Sequence, residues 1–311
     1  MTFRLLVISC AWLVSFALNG HAQTVANPAT QPARPFPQIQ HVCIISIDGL
    51  RPDRALLADM PNLRKLLKAG SYTFWARTTP NSITLPSHVS MLSGVSPRKH
   101  GVEWNRDLPF TEPVYPLVPT IFELAKQAGY STAVIAGKSK FAIFDKPGAL
   151  TYSAISKPDS DNAAVAQAAT RIIEEHKPDL FFIHFPDVDH FGHKNGWGSP
   201  EQLAAIDETD VHLGEIFAAI DRAGIRESTF IIVTADHGGA GRSHGPDDFR
   251  SRYIPWIAVG PGVRAGFDLT QIASLEVNTE DSAATALYLL GVKLPPYFEG
   301  KPVAAIFEQK R

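Results

Sequence analysis

Runs of apolar residues recur along the chain and predict the strands of a buried sheet. Each run is nearly continuous rather than alternating, which is typical of strands that are covered on both faces. The predicted strands are His41–Ile47, Thr132–Ala136, Leu180–Phe185, Thr229–Thr234 and Ile254–Val259. Since strands of this kind are usually joined by helices, we expect helices in the intervening segments.

Helix start and stop signals lie between these strands. Proline opens and glycine follows the segment 61–69, and Thr120 with Glu123 has the spacing of a capping box. The other predicted helices span 161–176 and 199–223, and a last one is expected to be capped by Thr279 and to end at Gly291. Alternation of strands and helices predicts an α/β fold, a three-layer α/β/α sandwich around a mostly parallel central sheet.

The first 22 residues have the pattern of a signal peptide. Arg4 is followed by the apolar run Leu5–Leu18, and Gly20 and Ala22 offer small residues for cleavage. Because the run is shorter than the roughly 20 residues that span a bilayer, we expect cleavage, with an uncleaved anchor as the alternative. Residues 23–38 predict a linker rich in Pro, Ala and Gln, and 39–311 predict one domain. The protein is therefore expected to be exported, periplasmic or secreted, without stable membrane insertion after cleavage.

Composition narrows the classes of function. The formal net charge is −2 and 19% of residues are charged, which does not indicate the clustered basic face of a nucleic-acid-binding protein. Of the two cysteines, Cys10 lies in the predicted signal and Cys43 lies within an apolar run. We therefore expect Cys43 to be a buried filler rather than a nucleophile. The sequence leaves the oligomeric state open.

Two of the predicted strands end in side chains that bind metals. Asp48 follows the first strand, although an acid there can also simply cap a turn. Asp236 and His237 follow the fourth strand and precede two glycines. Neighbouring residues of a regular strand point oppositely, so a shared metal requires the chain to leave strand geometry, which glycine permits. In α/β sheets, active sites form at the carboxyl ends of strands.

A third cluster follows the strand 180–185. Asp189 and His193 form Asp-x-x-Gly-His, and we expect Gly192 to let the backbone turn so that both side chains meet one metal. His244 is the last histidine of the chain, so a more distal histidine ligand does not exist. The histidines predicted to support these ligands are His88, His184 and His190.

Thr84 is the candidate nucleophile. Pro86 suits a first helical turn and Gly94 suits the residue after a helix, so Thr84 is expected at a helix N-terminus. Free N–H groups and the helix dipole there favour a phosphoryl group and an ionised alkoxide. The alternative is a threonine that merely caps the helix.

Together these motifs resemble the alkaline phosphatase superfamily, and within it the type I phosphodiesterase / nucleotide pyrophosphatase family. The matching elements are Ile-Asp-Gly at 47–49, Thr-Leu-Pro-Ser-His at 84–88, His-Gly-Val-Glu-Trp-Asn at 100–105, Asp-x-x-Gly-His at 189–193 and Asp-His-Gly at 236–238. The resemblance implies an alkaline phosphatase-like catalytic domain over 39–311 that hydrolyses phosphate esters.

The resemblance also implies roles for individual residues. One divalent metal would be bound by Asp48, Thr84, Asp236 and His237, and a second by Asp189, His193 and His244. Zn²⁺ is the expected metal and Mn²⁺ the alternative. Thr84 would attack phosphorus and form a covalent phosphothreonine, because a bound cation lowers the pKa of a coordinated hydroxyl. Asn105 would donate a hydrogen bond to a phosphoryl oxygen.

Several substrates remain open at this point. A small phosphodiester or phosphomonoester is the first expectation, and a sulfatase is disfavoured because it would need Cys or Ser in place of Thr84. Nucleotide pyrophosphatases usually carry Phe-Pro-Asn-His after the threonine and a more distal last histidine, so nucleotide substrates are less supported. Lys138 and Lys140 resemble lysines of phosphonoacetate hydrolase and would bind a substrate carboxylate, unless they lie in a solvated loop. The non-enzyme alternative is an exported binding protein that has lost catalysis.

Overall fold

The computed structural model describes residues 31–106, 114–246 and 248–308. The predicted signal peptide, 1–22, and the first part of the predicted linker, 23–30, lie outside the described residues. Residues 31–38 of that linker segment contact the domain. Arg34 forms an ion pair with Asp179 over 3.7 Å, and Phe36 stacks on Phe307 with ring centroids 4.1 Å apart.

The centre of the fold, in the described residues, is an eight-stranded sheet. Its strands are β1 His41–Ile47, β2 Ser71–Arg77, β3 Thr132–Ala136, β4 Tyr152–Ile155, β5 Leu180–Phe185, β6 Thr229–Thr234, β7 Tyr253–Val259 and β8 Phe267–Asp268. Their order is β4-β3-β5-β1-β6-β7-β2-β8. The five strands from β4 to β6 run parallel, whereas β7 is antiparallel to both β6 and β2. The predicted mostly parallel sheet is confirmed.

Helices cover both faces of the sheet. They are α1 Pro52–Leu57, α2 Pro61–Ala69, α3 Thr84–Ser93, α4 Pro97–His100, α5 Ile121–Gln127, α6 Asn162–His176, α7 Asp187–Asn195, α8 Pro200–Arg222, α9 Phe249–Arg252 and α10 Glu280–Leu289. On one face α2, α6 and α7 pack against α8, and on the other α3 and α5 pack against α10. This is the three-layer α/β/α arrangement that the sequence predicts. Within the described ranges, no helix is both long enough and apolar enough to cross a bilayer.

The five strands predicted from the sequence are confirmed, with β7 beginning one residue earlier. The strands that the sequence pattern did not reveal are β2, β4 and β8, which lie on one side of β7 or at the edge of the sheet. β2 and β4 are only partly buried, so their sequences are not continuously apolar. Position in the sheet therefore decided which strands were recognisable.

Two helix predictions need correction. Asp189 and His193 were expected in a turning loop, but they lie on α7, which follows β5 after a single residue. Thr279 precedes α10, yet its side chain makes no capping hydrogen bond. The capping box of α5 is confirmed, because Thr120 accepts from the Glu123 backbone N–H and Glu123 accepts from that of Thr120.

Candidate metal centre and nucleophile

The first candidate metal group contains Asp48, Asp236 and His237, with one ligand atom of each residue within 4.8 Å of the others. Asp48 directly follows β1, and Asp236 comes two residues after the end of the adjacent parallel strand β6. All three side chains are fully buried. The chain has left strand geometry at Asp236, as a shared site for two consecutive residues requires.

The second candidate group contains Asp189, His193 and His244. Asp189 and His193 are four residues apart on α7, so helical periodicity rather than a turn brings them to one face. His193 Nε2 lies 3.4 Å from Asp189 Oδ1, and His244 Nε2 lies 3.7 Å from the same oxygen. The His193 side chain is 47% exposed, so this group lies at the open side of the centre.

Gly49 lets the two groups approach each other. Its φ of +77° belongs to the left-handed region, and a Cβ there would lie 3.0 Å from the Cα of Asp189. A side chain at this position would therefore be strained and would also push α7 away from Asp48. Both the backbone conformation and the close packing of α7 therefore require glycine at this position of the Ile-Asp-Gly motif.

The three histidines share one hydrogen-bond pattern. In each ring Nδ1 lies at hydrogen-bond distance from a backbone carbonyl oxygen, which can only accept, so Nδ1 carries the hydrogen and Nε2 carries the lone pair. The pairs are His193 with Arg242 at 3.0 Å, His237 with Gly238 at 2.9 Å and His244 with Ser82 at 2.8 Å. Histidines that bind metals are usually held in this way.

Buried carboxylate oxygens face these lone pairs. Oδ1 of Asp48, Oδ1 of Asp189 and Oδ2 of Asp236 are buried without a hydrogen-bond partner among the described residues. His237 Nε2 is 3.4 Å from Asp48 Oδ1 and 3.2 Å from Asp236 Oδ2. Unpaired buried acceptors facing a nitrogen lone pair are unfavourable unless a cation lies between them. The residues present therefore fit divalent metal ions.

Lys138 connects the two groups. Its Nζ lies 2.7 Å from Asp48 Oδ2 and 2.6 Å from Asp189 Oδ2, with the side chain 12% exposed. Burial by itself opposes ionisation of Asp48, but Lys138 and a hydrogen bond from His184 hold the Asp48 pKa well below its usual value. Burial, followed by repulsion from Asp48 and Asp189, raises the pKa of Asp236 well above its usual value. The three carboxyl groups thus outnumber the one lysine that pairs with them, and repulsion from Asp48 and Asp189 opposes ionisation of Asp236.

Thr84 is the first residue of α3, and Ile83 occupies the cap position before it. The Thr84 hydroxyl, from a side chain only 1% exposed, lies 3.2 Å from His237 Nε2. It therefore faces the first group instead of capping its helix. Gly94 ends α3 in the left-handed conformation with φ 71°, as predicted.

Asn105 and Lys140 lie together beside the start of α3. Asn105 Oδ1 accepts from the Leu85 backbone N–H at 3.0 Å and from Lys140 Nζ at 2.9 Å. Burial, then the neighbouring charge of Lys138, lowers the pKa of Lys140. Lys140 is thus held near the nucleophile by Asn105, whereas Lys138 is held by the two carboxylates.

Two further histidines lie beneath the ligands. His184 Nε2 donates to Asp48 Oδ2 at 3.0 Å. His88 Nδ1 donates to the Thr84 carbonyl at 2.8 Å, and its Nε2 accepts from the Ser46 hydroxyl at 2.8 Å. Both histidines were predicted as supporting residues, whereas His190 is exposed and lies edge-on to Phe191.

Comparison with known proteins places this site in a family. The family model described as "Type I phosphodiesterase / nucleotide pyrophosphatase" matches residues 42–253. The chain belongs to this family. The matched segment includes every candidate ligand, Thr84, Asn105 and both lysines.

A curated relative shows the same likeness over part of the chain. It is an uncharacterized pyrophosphatase/phosphodiesterase of Schizosaccharomyces pombe, 28% identical over 219 residues, which are 64% of this chain and 44% of the relative. A human GPI ethanolamine phosphate transferase 2 catalytic subunit is 25% identical over 86% of this chain and 29% of its own length. The chain thus spans less than half the length of these relatives.

Solved structures share the fold. Murine ectonucleotide pyrophosphatase / phosphodiesterase 5, as an inactive variant in complex with AMP, superposes with a TM-score of 0.72 at 17% identity, covering 86% of this chain and all of that one. A putative sulfatase from Bacteroides thetaiotaomicron superposes with a TM-score of 0.67 at 16% identity, covering 88% of this chain and 76% of that one. The predicted alkaline phosphatase-like architecture is confirmed.

Proposed function

We propose that this protein is a two-metal hydrolase that cleaves phosphate esters of small molecules, with Thr84 as nucleophile. The observation that carries the proposal is the set of three imidazoles whose Nε2 lone pairs face buried carboxylate oxygens that have no hydrogen-bond partner in the described part of the chain. Membership in the phosphodiesterase / pyrophosphatase family supports the reaction class.

The ligands divide into the two groups already described. Asp48, Asp236 and His237, together with the Thr84 hydroxyl beside His237, would hold one ion, and Asp189, His193 and His244 would hold the other. Histidine nitrogens and carboxylate oxygens without a cysteine cluster suit Zn²⁺, with Mn²⁺ as the alternative. Bound there, two cations would lower the pKa of a coordinated hydroxyl and offset charge on the phosphoryl oxygens.

The residues around phosphorus have separate tasks. Thr84 Oγ1 attacks phosphorus and gives up its proton, the ester P–O bond breaks, and the protonated alcohol leaves the phosphothreonine. Water then attacks phosphorus and breaks the P–Oγ1 bond, so that Oγ1 regains a proton and phosphate leaves, or a phosphomonoester when the substrate is a diester. Asn105 uses its amide N–H₂ for a phosphoryl oxygen, because its Oδ1 already accepts from Leu85 and Lys140. The exposed side of the second group, at His193, gives water access.

A phosphonate that carries a carboxylate is a second candidate substrate. The observation in its favour is Lys140, whose ammonium lies 2.9 Å from Asn105 Oδ1 and thus beside the place where Asn105 meets a phosphoryl group. Lys138 is engaged by Asp48 and Asp189, so Lys140 is the better candidate for a substrate carboxylate.

A substrate panel tests these proposals. The protein loaded with Zn²⁺ or Mn²⁺ is assayed with bis-p-nitrophenyl phosphate, p-nitrophenyl phosphate, a nucleotide phosphodiester and phosphonoacetate. We expect hydrolysis of a phosphate ester that a chelator abolishes and metal restores. Preferential turnover of phosphonoacetate, lost in Lys140→Met, would establish the second candidate. Binding without hydrolysis of any ester would contradict the proposed activity and favour a binding protein.

We also propose that the protein is exported after cleavage behind Ala22. Support comes from the basic, apolar and small-residue regions of the first 22 residues. N-terminal sequencing of the mature protein tests this. A mature protein that begins at Gln23 is expected, and retention of Met1 would show that the segment is kept.

A further inference from the structure

Trp197 lies between α7 and α8 and contacts every segment that carries a ligand of the second group. Its side chain is almost completely buried, with 7% exposure. We propose that Trp197 is the positioning residue of the metal centre, which aligns His193 and His244 and ties them to the strand end at Asp48. This inference rests on the proposed two-metal function.

Two hydrogen bonds to backbone carbonyls, one from the indole and one from the backbone N–H, attach Trp197 to different parts of the site. Its indole Nε1 donates to the carbonyl of Gly49 at 2.9 Å in a buried position. Its backbone N–H donates to the carbonyl of Gly241 at 2.7 Å. Gly49 follows Asp48, and Gly241 lies between His237 and His244, so one residue connects the segments of both groups.

Two glycines of the metal motifs make room for the indole. A Cβ on Gly192 would lie 2.7 Å from the Trp197 ring, and a Cβ on Gly239 would lie 2.3 Å from it. Neither glycine has a positive φ, so backbone freedom does not explain them. The Gly of Asp-x-x-Gly-His and the second Gly after Asp236-His237 are required here by the close approach of Trp197.

The indole also contacts the imidazole rings of both histidines of the second group. Its ring lies edge-on to His193 at 5.2 Å and to His244 at 5.9 Å between centroids. Each imidazole is therefore held between a carbonyl at Nδ1 and the indole at its ring, which leaves Nε2 directed towards Asp189. Such supporting contacts commonly change metal affinity 10–100-fold when removed.

The chain offers a matched control in Trp256. This residue is fully buried on β7, where its backbone pairs with Thr234, and its indole donates at 3.0 Å to the hydroxyl of Ser282, which is not a candidate ligand. Trp197→Phe and Trp256→Phe each remove one buried indole hydrogen bond. Zn²⁺ stoichiometry and affinity are measured by competition with a chromophoric chelator, together with the Tm of the metal-free proteins.

We expect Trp197→Phe to weaken binding of the second Zn²⁺ by about tenfold or more, while binding of the first ion changes less. Trp256→Phe should bind both ions like the wild type, although its metal-free Tm should fall at least as much as that of Trp197→Phe. Equal second-ion affinity in the two variants would overturn the inference. A wild type that binds no metal would overturn the proposed function as well, whereas a wild type that binds two ions confines the failure to Trp197.

A double-substitution cycle keeps the test decisive if one variant folds poorly. Gly239→Ala should reduce second-ion affinity, because the methyl group meets the indole. The double variant with Trp197→Leu should lose less free energy of second-ion binding than the sum of the two single losses, since the smaller side chain leaves room for the methyl group. Additive effects, or normal metal binding by Gly239→Ala, would contradict the proposed packing.

Discussion

The imidazole rings of His237 and His244 are stacked, with centroids 3.7 Å apart and planes inclined by 15°. His237 belongs to the deeply buried group and His244 to the group at the open side, so the stack joins the two candidate metal sites. Burial, followed by the adjacent His244, lowers the pKa of His237 to about 3. The His237 imidazole is therefore neutral at neutral pH, as a metal ligand must be.

His244→Ala should remove one of two bound metal ions. The variant loses a ligand of the second group and the ring stacked on His237, while the first group keeps its ligands. We expect metal analysis after gel filtration to fall from two ions to about one per chain, with a roughly 100-fold or greater loss of kcat. His190→Ala is the control, since His190 is exposed. Equal metal content in both variants would exclude His244 as a ligand.

Thr84→Ala should lower kcat by roughly 10³-fold or more, because the hydroxyl that faces His237 is the proposed nucleophile. Metal content and Tm should change little, since the other ligands remain. Thr84→Ser keeps a hydroxyl and should retain part of the activity. If Thr84→Ala has near-normal kcat, water attacks phosphorus directly and the covalent step is wrong.

His184→Leu should weaken binding of the ion held by Asp48 by roughly 10–100-fold, because it removes the donor that orients Asp48 Oδ2. His184→Gln provides an N–H donor and should recover part of that affinity. Phe182→Leu, two residues earlier on β5, is the packing control because Phe182 contacts the ring of His88 without a polar bond. Identical metal affinity in the Leu and Gln variants would argue for a packing role only.

Glu280→Gln should stabilise the protein more as pH rises. Mainly because of burial, with Asp281 and Glu299 adding repulsion, the pKa of Glu280 is raised from 4.5 to about 7. A raised folded-state pKa contributes stability that is present below about pH 4.5 and is lost as pH rises through about 7. The Tm difference between variant and wild type should therefore grow from pH 5 to pH 8. A constant difference would show that Glu280 titrates normally.

The sheet was predictable because its central strands are buried on both faces and leave a continuous apolar signature. β1, β3, β5 and β6 have every residue buried. The edge of the sheet at which the ligands gather was predictable for the same reason, since Asp48 and Asp236 follow two of those runs. β2 was not recognised because it is only partly buried.

The structure around Asp189 was not predictable from local pattern. The sequence from Asp187 to Asn195 contains two glycine-or-asparagine positions and few apolar residues, so it does not indicate a helix. Packing of α7 against α8 stabilises the helix instead. Gly192 looked like a turn residue, whereas it is helical and is required by the space that Trp197 occupies.

The sequence by itself determined the kinds of candidate ligand, the placement of Asp48 and Asp236 after buried strands, and the family, because side chains next to buried strands are local features. Tertiary structure decided which atoms meet. His244 reaches the second group because its Nδ1 donates to the carbonyl of Ser82, a residue remote in sequence. Lys138 became a bridge between Asp48 and Asp189 only because β3 lies next to β5 and β5 lies next to β1 in the sheet. Such contacts depend on the order of strands in the sheet, which the local sequence pattern does not encode.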